Sequence, residues 1–287
     1  MNLKALMDSL QRGLRRPDVR QHPFRAISRR LGWRRHWKNS SSPILISPWW
    51  RELQIILPHT GNAALIYYRT LSYPSLVALL QTLLFPGMTF VDVGAHIGEY
   101  TLIGAHMVGP TGKVCAIEPI PACVEGLRRN VSINKLDQVS VHTGALSASS
   151  GKIGFLSDSG NSGWIAATPA QVVFETPTWA LDDFLPHAKL ERADVIKLDA
   201  GGNELDVLRG GSKTLQHSTM VMKLYHPSVT QARFGYPCHD SIKLLLEMGL
   251  KLKIMVRGEV FPIHRPEDID AHFDRLDYCH VILAKRV

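Results

Sequence analysis

A chain of 287 residues with 45% apolar content can bury one large core, or one core with an extension. No apolar run reaches the ~18 residues that a membrane-spanning helix needs, which excludes a helical membrane protein. The formal charge of +8 is uneven: residues 1–39 hold eleven basic and two acidic residues, while the remainder holds 22 basic and 23 acidic.

Residues 1–43 read as a basic arm. Leu3, Leu6, Met7, Leu10 and Leu14 follow helical spacing, and Phe24, Ile27, Leu31 and Trp37 follow it again after Pro17 and Pro23. Two readings stand: attachment to an anionic membrane surface or capture of an acidic substrate, and packing of the apolar stripes on the body with the arginines in water. The start lacks the apolar core of a secretory signal, although an arginine-rich, acid-poor start is also the composition of a transit peptide. From residue 44 the main body is expected to run to 287, with 44–86 as an approach segment. Short apolar runs and turns over 44–68 predict strands, and Leu76, Leu79, Leu80, Leu83 and Leu84 predict a helix that Pro86-Gly87 ends.

The body then alternates. Strands are expected at 89–93, 113–117 and 138–143, with helices at 98–107 and 121–133 between them. Residues 150–180, rich in Ser, Gly and Thr, look like an insertion with β-like runs at 153–156 and 172–174. Further strands are expected at 195–198 and 220–224, and an antiparallel pair at 251–256 and 279–284. Helices fall near 181–184, from 204 with Asn203 as its cap, and at 241–248. Cys115, Cys123, Cys238 and Cys279 show no metal-type spacing, so no metal ligand is assigned and a reducing, cytoplasmic setting is expected.

Around residues 90–101 the chain reads Phe-Val-Asp-Val-Gly-Ala-His-Ile-Gly-Glu-Tyr-Thr. This is a strand, a turn with Gly94 and Gly98, and a helix start whose free N–H groups suit a polar ligand. The next strand ends in Glu118-Pro119, where a carboxylate can accept hydrogen bonds from ribose hydroxyls. Asp92 and Glu118 together make an acidic rim that disfavours a pyrophosphate and favours a nucleoside with a positive centre, as in S-adenosylmethionine.

These stretches, with Ala116-Ile-Glu-Pro119, Asn130, Gly144-Ala-Leu-Ser147 and the run from Val195 to Gly210, resemble the FkbM family of class I methyltransferases. The resemblance implies an α/β, Rossmann-like seven-stranded sheet of order 3-2-1-4-5-7-6 with its last strand antiparallel, preceded here by a helical and β extension. It implies S-adenosylmethionine as cofactor, held by Asp92, Gly94, His96, Gly98, Thr101, Glu118, Pro119 and Ala145. It further implies methyl transfer to a hydroxyl of a small molecule such as a sugar, glycolipid or secondary metabolite. His226 and Asp199, past the ends of neighbouring strands, are the candidate catalytic residues: one to take the hydroxyl proton, the other to orient the acceptor.

Two positions depart from the family pattern. Family members usually read Asp-Val-Glu-Gly where this chain has Asp199-Ala-Gly-Gly202, and commonly carry an acidic residue where it has Lys223. An altered or non-catalytic cofactor-binding protein is therefore an alternative reading. A nucleic-acid methyltransferase is a third, disfavoured by the near-neutral body and the absence of a motif for a flipped base.

Overall fold

The computed structural model describes residues 22–158, 162–165, 172–225, 230–231, 235–256, 258–273 and 279–286. It divides into two units, Met1–Pro74 and Ser75–Val287.

In the first unit, helix α1 (Pro23–Asn39) precedes strands β1 (Ile44–Trp50) and β2 (Leu53–Leu57) and helix α2 (Gly61–Arg69). The strands form an antiparallel hairpin with Ile44 opposite Leu57. The Thr60 hydroxyl accepts the Ala63 N–H at 3.1 Å and starts α2 as an N-cap. Against α2 lies an aromatic cluster in which Trp33 meets Tyr67 at 5.4 Å and Trp37 stacks on His59 at 4.5 Å. The predicted second helix of the arm is present, but its packed face differs from the expected one. Ala26 and Trp33 are buried, whereas Phe24, Ile27 and Leu31 are exposed. The reason is the side on which α1 docks: Arg29 Nη1 donates to the Tyr67 carbonyl at 3.0 Å, so the Trp33 side turns toward α2. The arm's first predicted helix, over residues 3–14, lies outside the described residues.

The second unit begins in helix α3 (Pro74–Leu83) and continues as β3 (Thr89–Val93), α4 (Glu99–Val108), β4 (Lys113–Glu118), α5 (Pro121–Ile133) and β5 (Val139–Thr143). Strands β6 (Ala145–Ser147), β7 (Gly151–Asp158), β8 (Ser162–Ile165) and β9 (Phe174–Ala180) follow. The chain then forms α6 (Leu181–His187), β10 (Val195–Leu198), α7 (Glu204–Arg209) and β11 (Thr219–Tyr225). It closes with α8 (His239–Glu247), β12 (Lys251–Val256), β13 (Glu259–Ile263) and β14 (Cys279–Lys285).

The main sheet has the order β13-β12-β14-β11-β10-β3-β4-β5. From β5 to β12 this is the expected 3-2-1-4-5-7-6 arrangement, with β14 antiparallel to both β11 and β12. Strand β13 is an eighth, edge strand that the sequence did not disclose, because only Ile263 of its five side chains is buried and no alternation appears. All residues of β3 and β10 are buried, as suits central parallel strands covered on both faces, and this is why they read as continuous runs. The insertion is more ordered than its composition suggests: β6, β9, β7 and β8 form a separate four-stranded sheet. Strands β3 and β10 are parallel neighbours at which the order of strand addition switches sides, so the carboxyl ends of these two strands define the crevice where ligands of open α/β sheets bind.

Candidate functional site

The turn from Gly94 to Gly98 joins β3 to α4. Gly94 and Gly98 have φ of 72° and 95°, a region that side chains with a Cβ avoid. Both glycines are also demanded by packing within the protein. A Cβ on Gly94 would stand 2.0 Å from the Asp199 carbonyl oxygen, and one on Gly98 would stand 2.5 Å from Leu127 Cδ1. The loop therefore lies directly against the end of β10, tied there also by the Asp199 N–H, which donates to the Val93 carbonyl at 3.1 Å. Asn130 Nδ2 holds the other side by donating to the Ile97 carbonyl at 2.8 Å.

Asp92, expected on an acidic rim, is instead wholly buried beneath the loop. Its Oδ2 accepts the Thr101 hydroxyl at 2.6 Å, and Lys197 Nζ stands 2.9 Å from Oδ1. The Lys197 contact is close but off the hydrogen-bonding direction, so Oδ1 is matched in charge rather than by an aligned hydrogen bond. The same ammonium group donates to the Gly94 carbonyl at 2.8 Å and to that of Val93 at 3.1 Å, and lies 5.3 Å from the Tyr100 ring centre. Two of the three N–H donors of the lysine are taken by these carbonyls, and the Asp92 carboxylate lies beside its charge. Lys197 thus neutralises Asp92 and fixes the floor of the loop, leaving Glu118 as the acidic group of the site.

Glu118 ends β4 with its carboxylate aligned by two backbone amides, His96 N–H on Oε2 at 2.8 Å and Ile120 N–H on Oε1 at 3.0 Å. Burial pushes this carboxyl up to about 7, against the lowering effect of those two amides and of Lys197. Each oxygen keeps a further lone pair, which is the capacity a pair of ribose hydroxyls requires. Helix α4 begins beside it with no side-chain cap on its N-terminus, which presents N–H groups to a carboxylate such as that of a methionine moiety. The donor and acceptor set therefore fits S-adenosylmethionine. His96 sits half-buried in the turn with φ of 51°, Pro119 follows Glu118, and Ala145 is buried at the start of β6, where the Gly144 N–H donates to the Glu118 carbonyl at 3.0 Å.

On the acceptor side, the Asp199 carboxylate is paired with Lys223 of β11, Oδ2 to Nζ at 3.1 Å, with both side chains slightly open to solvent. The turn after Asp199 takes positive φ at Gly201 and Gly202, 69° and 104°. Glu204 organises it. Its Oε1 accepts the Ala200 N–H at 2.9 Å and the Gly202 N–H at 3.1 Å, and the Tyr236 hydroxyl donates to the Gly202 carbonyl. Asn203 stands at the N-cap of α7 but makes no side-chain cap bond; Glu204 instead braces the turn before the helix, and the Leu205 N–H donates to the Tyr236 hydroxyl at 3.4 Å. Burial raises the Glu204 carboxyl to about 7. His226, the other catalytic candidate, lies outside the described residues.

The structure thus gathers Asp92, Gly94, His96, Gly98, Thr101 and Glu118 into one hydrogen-bonded set, with Asp199 adjoining it. Sequence reasoning missed Lys197 and Glu204 as parts of the site. A lysine inside the apolar run Val195–Leu198 was the available signal, since a buried ammonium requires an anionic partner.

Comparison with known proteins places the chain in a family. The Methyltransferase FkbM domain model matches residues 92–252. A protein-L-isoaspartate O-methyltransferase of Triticum aestivum is 30% identical over 175 residues, covering 57% of this chain and 70% of that protein. The hexuronic acid methyltransferase AglP of Haloferax volcanii is 28% identical over 181 residues, covering 62% of this chain and 70% of its own. Matches to other relatives span as little as 35% of their length. A solved structure of methyltransferase FkbM from Methylobacillus flagellatus aligns with 16% identity and a TM-score of 0.45, over 79% of this chain and 56% of that one. With the family model matching more than half of its residues around the glycine turn, the chain belongs to the FkbM family of S-adenosylmethionine-dependent methyltransferases.

Proposed function

We propose that the protein transfers the S-adenosylmethionine methyl group to a hydroxyl oxygen of a small molecule, with an acidic sugar, free or in a glycolipid, as the preferred acceptor class. The observation that carries this reading is the Asp199–Lys223 pair, Asp199 directly after β10 and Lys223 on the neighbouring strand β11. Methyl transfer is an in-line displacement, so the protein has to align the acceptor oxygen with the methyl group and accept its proton. When bound, the cofactor supplies an electrophilic methyl on sulfur. Asp199, paired with the Lys223 ammonium, accepts a hydrogen bond from the hydroxyl and orients it. His226 follows Tyr225 in sequence and is the proposed proton acceptor, an imidazole being the side chain suited to taking a proton near neutral pH. Lys223 places a positive charge beside the acceptor oxygen and favours substrates that carry a carboxylate. The relative AglP, a hexuronic acid methyltransferase, supports the same acceptor class.

The test is transfer of isotopically labelled methyl to glucuronate-terminated and neutral glycosides, with the methylated atom located by NMR. An O-methyl product on the acidic acceptor is expected, with kcat falling about 10²-fold or more in Asp199→Asn and His226→Ala. In Lys223→Gln the main change is a higher KM for the acidic acceptor. Methylation at nitrogen or at the carboxyl group, or equal turnover of the neutral glycosides, would overturn the proposal.

A further inference from the structure

Helix α1 is apolar on two opposite sides. The inward side is accounted for by Ala26 and Trp33, both buried. On the outward side Phe24, Ile27 and Leu31 are 87%, 54% and 60% exposed. Their spacing of three and four residues places them in one stripe. One turn further along that same stripe come Arg34, Arg35 and Lys38, all exposed, and Arg25 flanks its beginning. No acidic residue occurs between 22 and 39. The remaining arginines of the helix are engaged inward, Arg29 on the Tyr67 carbonyl and Arg30 over the Tyr68 ring at 5.0 Å. The outward apolar side chains with Arg25, Arg35 and Lys38 therefore form a surface of their own, which exposed Arg34 borders while also acting on Tyr68 of the docked side.

We propose that this outward face of α1 is a docking surface for an anionic membrane, independent of the methyl-transfer reading. Phe24, Ile27 and Leu31 enter the boundary between headgroups and acyl chains, while Arg25, Arg34, Arg35 and Lys38 lie among the lipid phosphates. Charge complementarity together with the apolar wedge selects this occupant. A nucleic acid would be met by the cations alone and has no use for three large aliphatic and aromatic groups in front of them. A bilayer surface uses both. At ~1.5 Å per residue a helix of 17 residues has the length to lie along an interface and is too short and too charged to cross one.

The experiment is flotation of the full protein with vesicles of phosphatidylcholine alone and of roughly three parts phosphatidylcholine to one part phosphatidylglycerol. The anionic vesicles are expected to hold the protein at least about tenfold more strongly, and the difference should shrink as salt rises. Phe24→Ser/Ile27→Ser/Leu31→Ser and, separately, Arg34→Gln/Arg35→Gln/Lys38→Gln should each weaken that binding about tenfold or more. Unchanged melting temperature and S-adenosylhomocysteine affinity in both variants establish that they fold. Three results would overturn the proposal: no retention on anionic vesicles, retention that the triple serine variant leaves intact, or displacement from vesicles by duplex RNA. The second would assign the attraction to charge alone, including the five basic residues of 1–21.

Discussion

Replacing Lys197 with Met keeps an apolar stem in β10 and removes the charge that faces Asp92. Both partners are almost completely buried, so the carboxylate would be left uncompensated in a low-dielectric site. Lys197→Met is expected to lower the free energy of unfolding by about 3–5 kcal/mol in urea titrations, and Asp92→Asn in the same chain should recover much of that loss. A loss below about 1 kcal/mol would mean that water reaches the pair. Glu118 gives a second test at this scale. Its ionised form offers the lone pair left on each oxygen to ribose hydroxyls, and with a pKa raised to about 7 the ionised form becomes the majority only above that pH. S-Adenosylhomocysteine should therefore bind more tightly as pH rises from ~6 to ~8, and Glu118→Gln should remove this dependence and weaken binding roughly tenfold or more, by calorimetry. Glu118 and the glycines could be found in the sequence because they sit at the ends of apolar runs, where local order alone marks the position. Lys197 could not be assigned a role in that way. Its partners Val93 and Asp92 are more than a hundred residues earlier, and only the fold brings them together.

The turn between β3 and α4 and the end of α4 separate two costs that a glycine can avoid. Gly94 and Gly109 have similar φ, 72° and 66°, but an added Cβ at Gly94 meets the Asp199 carbonyl at 2.0 Å while at Gly109 it meets nothing within 4 Å. Gly109→Ala should cost about 1–2 kcal/mol, the conformational penalty alone. Gly94→Ala should exceed ~3 kcal/mol and abolish cofactor binding, because the loop has to leave β10. Equal effects in thermal melts would refute the packing role given to Gly94. Elements with this punctuation were readable in advance: β3, β4, β10 and α5 fall within a residue of their expected limits, since buried parallel strands and capped helices carry their own signals. The insertion sheet was readable only in part: the β-like run at 153–156 falls within β7, while the run at 172–174 only touches the start of β9. In β9 the inward side chains are Thr176 and Thr178, so the alternation of apolar and polar residues that marks a half-buried strand is missing. Strand β6, of three residues, is too short to show any period.

At the scale of the whole molecule, the excess positive charge belongs to the arm, and what governs folding of the body is a pair of carboxyls held in its interior. Glu118 and Glu204 both rise from the ordinary 4.5 to about 7, in each case chiefly through burial. A carboxyl whose pKa rises on folding binds its proton more tightly in the native state than in the unfolded chain. The stability it lends is complete below about 4.5 and is lost as pH climbs through about 7. Each carboxyl contributes of order 2–4 kcal/mol across that window, so the native state should weaken steadily between those limits rather than strengthen. Asp268 acts in the opposite sense at lower pH: the His264 amide and the Arg265 side chain hold it near 2, so its contribution appears above its ordinary 3.8 and fades only in stronger acid. Between about pH 4.5 and about 7 the two buried carboxyls therefore favour the ligand-free fold at the acid end, below the range where ionised Glu118 binds cofactor best. Urea midpoints measured at intervals across that range should fall with pH, and Glu118→Gln/Glu204→Gln, which fixes both groups in an uncharged form, should flatten the decline. A midpoint that rises through the same interval in the native protein would show that the two carboxyls are ionised when folded, and that ligand binding need not wait for neutral pH.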